Sequence, residues 1–332
     1  MDLVNCIDRI PNSLNKIIET YGNDVKILNR ENISVINIIG SGTSHTAGEL
    51  AKYFIEKYTN IRCRVEFPKL FLNNFTKEKI NKDEVFIFVS QGGYTKVVYE
   101  SLLKVKKSGF KTIAISENGD SPIAESSDIF FNMMTDGEEF VFRTLGYTCT
   151  AVILSLIGLN LGNKNIKPFI DDLENVITNL PLIKQTSYEW FHNNGKKFIE
   201  SDSFIFIGSE MLYYLAKECE IKFMEMVPIM SNSYELEESI HGPQNCFNDK
   251  MSFFILDKDE KEKSEALEKF LIKEITSKAV DLGLIDCVGK YYYFVEYAYF
   301  MQYLVYNFAK LKGRDLNVRL NSQIDQYISK LL

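Results

Sequence analysis

Histidine, tryptophan and closely spaced cysteines are what this sequence has least of. Three histidines (His45, His192, His241), one tryptophan and six scattered cysteines stand among 332 residues. No two cysteines form a C-x-x-C pair, so neither a zinc ribbon nor a thioredoxin-type motif is available, and no metal site is expected. The cysteines read as reduced, mostly core residues of a cytosolic protein. Basic charge is also short: 38 Lys and Arg face 45 Asp and Glu, a net charge of −7. That balance argues against a general nucleic-acid or anionic-membrane binder, while a local basic pocket for a phosphate remains open. Glycine and proline number only 18 and 7 against a 45% hydrophobic content, which excludes disorder. The N-terminus, MDLVNCIDRIPNS, has acidic residues and no apolar run, so a secretory signal is not expected. One long uncharged stretch exists, from Thr144 to Asn163. Thr148, Thr150, Ser155, Asn160 and its glycines mark it as a buried helix rather than a membrane span.

What the sequence does have is alternation. Short β-branched or aromatic runs are followed by longer helical patterns, the signature of parallel βα units. Residues 34–39 (SVINII) end in GSGTSH and lead into a helix from Ala47 to about Tyr58. Residues 85–89 (VFIFV) end in SQGGYT and lead into KVVYESLLKVKKSG; KTIAIS and DIFFNM supply two more strands. After an amphipathic stretch over about 165–200 the order restarts with FIFI (204–207), Gly208-Ser209 and a helix over about 211–226. SFFIL (252–256), a charged helix, the possible strands IDCV and YYYF, and a tyrosine-rich helix over 295–312 follow. The expected fold is α/β: two doubly wound parallel sheets in tandem, each a flavodoxin-like αβα sandwich. The expected parts are an N-terminal helical segment (1–28), a first α/β domain (29–163), a helical linker (164–195), and a second domain with C-terminal helix and tail (196–332).

A strand, a small hydroxyl-rich loop and a helix together make an anion site, because exposed N–H groups and the helix dipole favour negative charge. Gly40-Ser41-Gly42-Thr43-Ser44 is one such loop and Ser90-Gln91-Gly92-Gly93-Tyr94-Thr95 another. Neither has G-x-G-x-x-G spacing or the lysine of a Walker loop, which removes most support for dinucleotide or NTP binding. Either loop alone can equally be a Gly/Ser turn capping a helix. Two of them in consecutive βα units favour a sugar-phosphate-sized ligand at the carboxyl edge of one sheet.

These loops resemble those of the sugar isomerase (SIS) domain. The pattern is similar to the isomerase half of glucosamine-6-phosphate synthase and to the fructosamine-6-phosphate deglycases, over about residues 30–320. In that family the loops read G-x-G-T-S and S-Q-S-G-x-T, so the resemblance implies a sugar phosphate held by Gly42, Thr43, Ser44, Ser90, Gln91, Gly92 and Thr95. Gly92 replaces the family's serine and removes one hydroxyl. A Lys-x-x-Glu followed sixteen residues later by His-Gly-Pro also matches, as Lys222, Glu225 and His241-Gly242-Pro243. Three-residue spacing puts Lys222 and Glu225 on one helical face. The resemblance implies Glu225 as base, His241 as ring-opening group and Lys222 as electrostatic helper.

That set suits the chemistry. Moving a carbonyl between C1 and C2 of a sugar requires ring opening by an acid/base near neutrality, then a carboxylate to shuttle a C–H proton through an enediol or enolamine. A cation steadies the developing oxyanion, and neither metal nor cofactor is needed. Without His241, Lys222 and Glu225 would read as an exposed ion pair; with it, the catalytic reading is favoured. His45 can touch ligand or serve at a helix start or surface; Arg143 can face the phosphate or cap a strand. Glu235, Glu237 and Glu238 are a solvated loop, unless one meets a substrate amino group. The family's tail, P-R-x-L-x-K, keeps its arginine here as Arg319 but not its lysine, so a Schiff-base step is not expected. No glutaminase module is expected ahead of the first α/β unit. The resemblance therefore implies a cytoplasmic phosphosugar isomerase or deglycase, or a sugar-phosphate sensor of the same fold. It also implies a homodimer in which the His241 loop reaches the neighbour's site.

Overall fold

A computed structural model describes residues 3–23 and 33–332 of the chain. Residues 1–2 and 24–28 of the expected N-terminal segment lie outside the described residues. The chain divides into two compact units. The first comprises Arg9–Ile170 with Arg319–Leu332, and the second Met1–Asp8 with Asp171–Val318. These units cut across the parts drawn on sequence: the N-terminal segment divides after Asp8, the linker divides after Ile170, and the end of the tail, expected with the second half, groups with the first sheet. That end is tied to the first sheet's loop, with Leu332 N–H donating to the Tyr94 carbonyl and Lys96 N–H to the Lys330 carbonyl, both at 3.1 Å.

The first unit is built on five parallel strands: β1 (Val35–Ile39), β2 (Arg62–Glu66), β3 (Glu84–Val89), β4 (Thr112–Ser116) and β5 (Ile129–Asn132). Their order is β2-β1-β3-β4-β5. The central strands β1, β3 and β4 are buried along their whole length, which is why they read as unbroken apolar runs. The uncharged stretch is the helix Leu145–Leu161, every residue of which is buried. It packs against the helix Thr43–Tyr58 at Gly158, where a Cβ would lie 2.3 Å from Ile55 Cγ1. Among the described residues no helix is long and apolar enough to cross a membrane.

The second unit repeats the plan with β6 (Ser203–Gly208), β7 (Met230–Glu235), β8 (Met251–Leu256) and β9 (Ala279–Asp281), all parallel, in the order β7-β6-β8-β9. Its core is aromatic. Phe223 lies 4.8 Å from both Phe204 and Phe206, and such pairs add about 1 kcal/mol each beyond area burial.

Two expected strands are absent. IDCV forms no strand, and YYYF is the entry to the helix Tyr293–Leu311. Just ahead of that helix, Asp172 accepts the N–H groups of Lys290, Tyr291 and Tyr292 at 2.6, 2.8 and 2.9 Å. Those donors are thereby withdrawn from any strand ladder at YYYF. The tyrosines of this helix, Tyr297, Tyr299, Tyr303 and Tyr306, are buried as packing residues.

Candidate functional site

In the order β2-β1-β3-β4-β5 the direction of winding reverses between β1 and β3. The crevice outside the carboxyl ends of those two strands is where open α/β sheets bind ligands. Both glycine and hydroxyl loops sit there. Ser41 and Gly42 are exposed after β1, and Thr43 and Ser44 begin the helix Thr43–Tyr58 half-buried. Gly42 has φ +56°, in the left-handed region that favours glycine. The helix therefore presents its first turn to the crevice through a loop that carries no carboxylate.

After β3, the hydroxyls of Ser90 and Thr95 lie 2.9 Å apart. Gly93 lets the loop turn: its φ is +80°, and a Cβ would meet Ser121 Oγ at 2.1 Å. Gly92 has open space, its nearest neighbour being Tyr94 Cδ2 at 4.0 Å. Among the described residues the N–H groups of Gln91 and Gly92 are not used in the loop's internal hydrogen bonds. Gln91 is placed differently from a free ligand. Its Nε2 donates to Glu117 Oε2 at 3.0 Å and to Glu138 Oε2 at 2.9 Å.

The remaining first-unit candidates are engaged with protein groups. His45 is buried in the first turn of its helix, not on the surface, and its ring stacks on Phe67 at 3.8 Å with Nε2 3.9 Å from Glu49. Arg143 donates to the Glu138 carbonyl and lies 3.8 Å from Glu117. Arg319 forms a two-pronged pair with Asp325 at 2.7 and 2.9 Å in the tail.

The second unit carries the acid–base candidates. Lys222 and Glu225 are on the helix Glu210–Met226, with Nζ and Oε2 2.7 Å apart. The pair is not the exposed one that sequence allowed. The Lys222 side chain is 5% accessible and also lies 3.6 Å from the buried Glu218, while the Glu225 side chain is 39% accessible. A buried ammonium thus meets a carboxylate that opens to solvent. His241 is exposed after the short helix Glu238–Ile240, and Gly242 follows with φ +143°. Glu235 caps this turn by accepting the N–H groups of Glu237 and Glu238, and Glu237 pairs with Lys263 at 2.5 Å. These contacts fit the solvated-loop alternative. Sequence reasoning missed Glu117 and Glu138. The usable signal for Glu138 was the acidic pair Glu138-Glu139 a few residues before the uncharged helix Leu145–Leu161; Glu117, just after the end of β4, gave none.

The fold and the loops at its crossover have counterparts among known proteins. Residues 31–157, the first α/β unit's sheet and loops, match the SIS domain. The chain is homologous to glutamine–fructose-6-phosphate aminotransferases (isomerizing): 28% identical to that of Campylobacter jejuni over 65% of this chain and 37% of the relative, and 28% to that of Thermotoga maritima over 64% and 36%. The matched region spans well under half the length of these curated relatives. Among solved structures, a Clostridium difficile protein assigned to the phosphosugar isomerases superposes with TM-score 0.91 at 22% identity, covering 100% of this chain and 99% of that one. The C-terminal domain of the Francisella tularensis glucosamine–fructose-6-phosphate aminotransferase gives 0.83 at 22% identity, covering 95% and 97%.

Proposed function

We propose that the chain is a phosphosugar isomerase or deglycase acting on an amino derivative of a hexose 6-phosphate, without metal or cofactor. The observation that carries this is the pair of hydroxyl-rich, carboxylate-free turns at Gly42–Ser44 and Ser90–Thr95, flanking the crossover of one parallel sheet. Backbone N–H groups, hydroxyls and a helix N-terminus are what a phosphate dianion needs. In this proposal Glu225 moves the proton between C1 and C2, Lys222 steadies the negative charge that develops on oxygen, and His241 opens the ring. The 2.7 Å contact between Lys222 and Glu225 supports the first two roles, since a fixed ammonium beside the base costs no reorganisation during the reaction. A homodimer is part of the same proposal, with the His241 loop contributing to the neighbouring chain's site.

The test is turnover with fructose 6-phosphate plus ammonia, and with fructosyl-amino-acid 6-phosphates, for wild type and Glu225→Gln. Product from one of these pairs, lost in the variant, supports the proposal. Thermal stabilisation by the ligand with no product from any substrate would instead identify a sugar-phosphate sensor.

A further inference from the structure

Five donors converge on one buried carboxylate. Glu138 Oε1 accepts the Thr144 N–H at 2.7 Å, the Thr144 hydroxyl at 3.0 Å and the Leu145 N–H at 3.1 Å. Its Oε2 accepts the Gly146 N–H at 3.0 Å and Nε2 of Gln91 at 2.9 Å. Four of these bonds come from the start of the helix Leu145–Leu161, whose orphan N–H groups and dipole favour a carboxylate. The fifth comes from the loop proposed to hold phosphate. It is the odd one.

The Gln91 amide has two hydrogens, and both are committed, one to Glu138 and one to Glu117 Oε2 at 3.0 Å. Glu117 is fixed in turn by the Thr135 hydroxyl at 3.0 Å and the Glu138 N–H at 3.1 Å. Only Oε1 of Gln91 is left, and it is an acceptor, as phosphate is. Gly146 gives this side chain its room, because a Cβ there would stand 2.1 Å from Gln91 Oε1. The Gln91 carbonyl is also held, by the Glu117 N–H at 2.9 Å and the Ser116 hydroxyl at 2.8 Å. Gln91 is therefore anchored through both its side chain and its main-chain carbonyl, and its side-chain amide has no donor to offer an anion.

We propose that Glu138 is a positioning residue for the Ser90–Thr95 loop: acting through Gln91, it ties the loop to the rigid N-terminus of the buried helix Leu145–Leu161. The loop's remaining N–H groups and the Ser90 and Thr95 hydroxyls are thereby held ready for the ligand. This rests on the proposal that the loop binds phosphate. The Gln91 side chain, singled out from sequence as a phosphate ligand, becomes a tether.

Titration of the full chain with inorganic phosphate and with fructose 6-phosphate tests this, using wild type, Ser90→Ala, Glu138→Gln, Gln91→Met and the double variant. The amide at 138 sets NH2 against NH2 at Gln91. Phosphate affinity should fall about ten-fold, the scale of one lost hydrogen bond to a charged group. The double variant should bind no more weakly than the weaker single one, because both changes cut the same tether. In turnover, KM for the phosphosugar should rise more than kcat falls. A folded Glu138→Gln protein with wild-type affinity, or losses that multiply in the double variant, overturns the proposal. If Glu138→Gln does not fold, Gln91→Met leaves the helix cap intact and decides alone: unchanged affinity overturns the tether. Wild type that binds neither probe, or Ser90→Ala with unaltered affinity, overturns the phosphate site itself and the tether with it.

Discussion

The two sheets share one winding order and differ in what stands at the crossover. Beside β1 and β3 the turns carry glycines and hydroxyls, with Ser90 and Thr95 2.9 Å apart and Ser41 and Gly42 open. Beside β6 and β8 the equivalent positions are closed on each other: Ser209 donates its hydroxyl to Asp257, which also takes the Glu260 N–H at 3.1 Å and the Ser264 hydroxyl at 3.2 Å. The adjoining cavity of about 450 Å³ is lined by Asp257, Asp281 and Glu268 as well as Lys258 and Lys261. An anion would have to displace or neutralise those carboxylates. Topology alone thus does not make a phosphate site; the side chains at the crossover decide. The second unit is instead distinguished by Lys222, buried between Glu218 and Glu225.

The largest effect that can break this division of labour is on catalysis. Glu225→Gln should keep ligand binding and lower turnover by about two orders of magnitude or more, the scale of a lost general base. Steady-state assays with phosphate-bearing substrates check it, and undiminished turnover removes Glu225 from the mechanism. Lower on the scale comes a direct contrast between the crossovers. Ser90→Ala should weaken inorganic phosphate binding about ten-fold, whereas Ser209→Ala should leave it unchanged. Equal losses in the two variants would show that the second crossover also takes the anion.

How far this was legible from sequence depended on burial. The central strands announced themselves because both faces are covered, and the restart at FIFI gave the second sheet. The edge strands β2 (RCRVE) and β7 (MSNSYE) did not, since their burial alternates with exposed charged and polar residues and leaves no apolar run. β9 has only three residues, too few to show a period. Among the proposed site residues, Lys222 and Glu225 were singled out by the resemblance of Lys-x-x-Glu and His-Gly-Pro to the SIS pattern; their three-residue spacing gave a shared helical face but no information on depth, so the buried state of Lys222 was invisible. Gln91 was read as a ligand through the resemblance of its loop to S-Q-S-G-x-T. Its partners Glu117 and Glu138 lie 26 and 47 positions away in sequence, and only the fold brings them together.

Neighbouring glycines in the second loop sharpen the comparison further. Gly93→Ala sets a Cβ 2.1 Å from Ser121 Oγ at φ +80°. That should destabilise the first unit by about 2 kcal/mol or more, read as a loss of amide protection in β3 and β4. Gly92→Ser has space for its side chain and no left-handed φ to oppose it. The added hydroxyl should tighten phosphate binding by a few-fold, less than a full hydrogen bond because the new rotamer must be fixed. Weaker binding in Gly92→Ser would mean that the loop approaches its ligand too closely there to admit a side chain.

The smallest effect is a difference in sign with pH. Burial raises the carboxyl pKa of Asp281 at the end of β9, helped by the charges of Asp257 and Glu268 and opposed by hydrogen bonds from Gly283 and Ser264. A raised folded-state value means that the protonated form is favoured on folding. Its contribution is present below the unfolded value of about 3.9 and lost as pH rises through the folded value. Asp128, next to β5, goes the other way. Burial would raise it, but the N–H and hydroxyl of Thr112, both at 2.8 Å, and Lys106 at 3.3 Å together hold it low. Its contribution is present above about 3.9 and lost as pH falls through the folded value. On acidification from neutral pH, amide protection of β9, corrected for intrinsic exchange, should therefore rise relative to β5. Asp281→Asn should abolish the rise at β9 and leave β5 alone. A rise that persists in Asp281→Asn would assign the pH response to the other carboxylates of that cavity, and the buried aspartate would no longer distinguish the second crossover from the first.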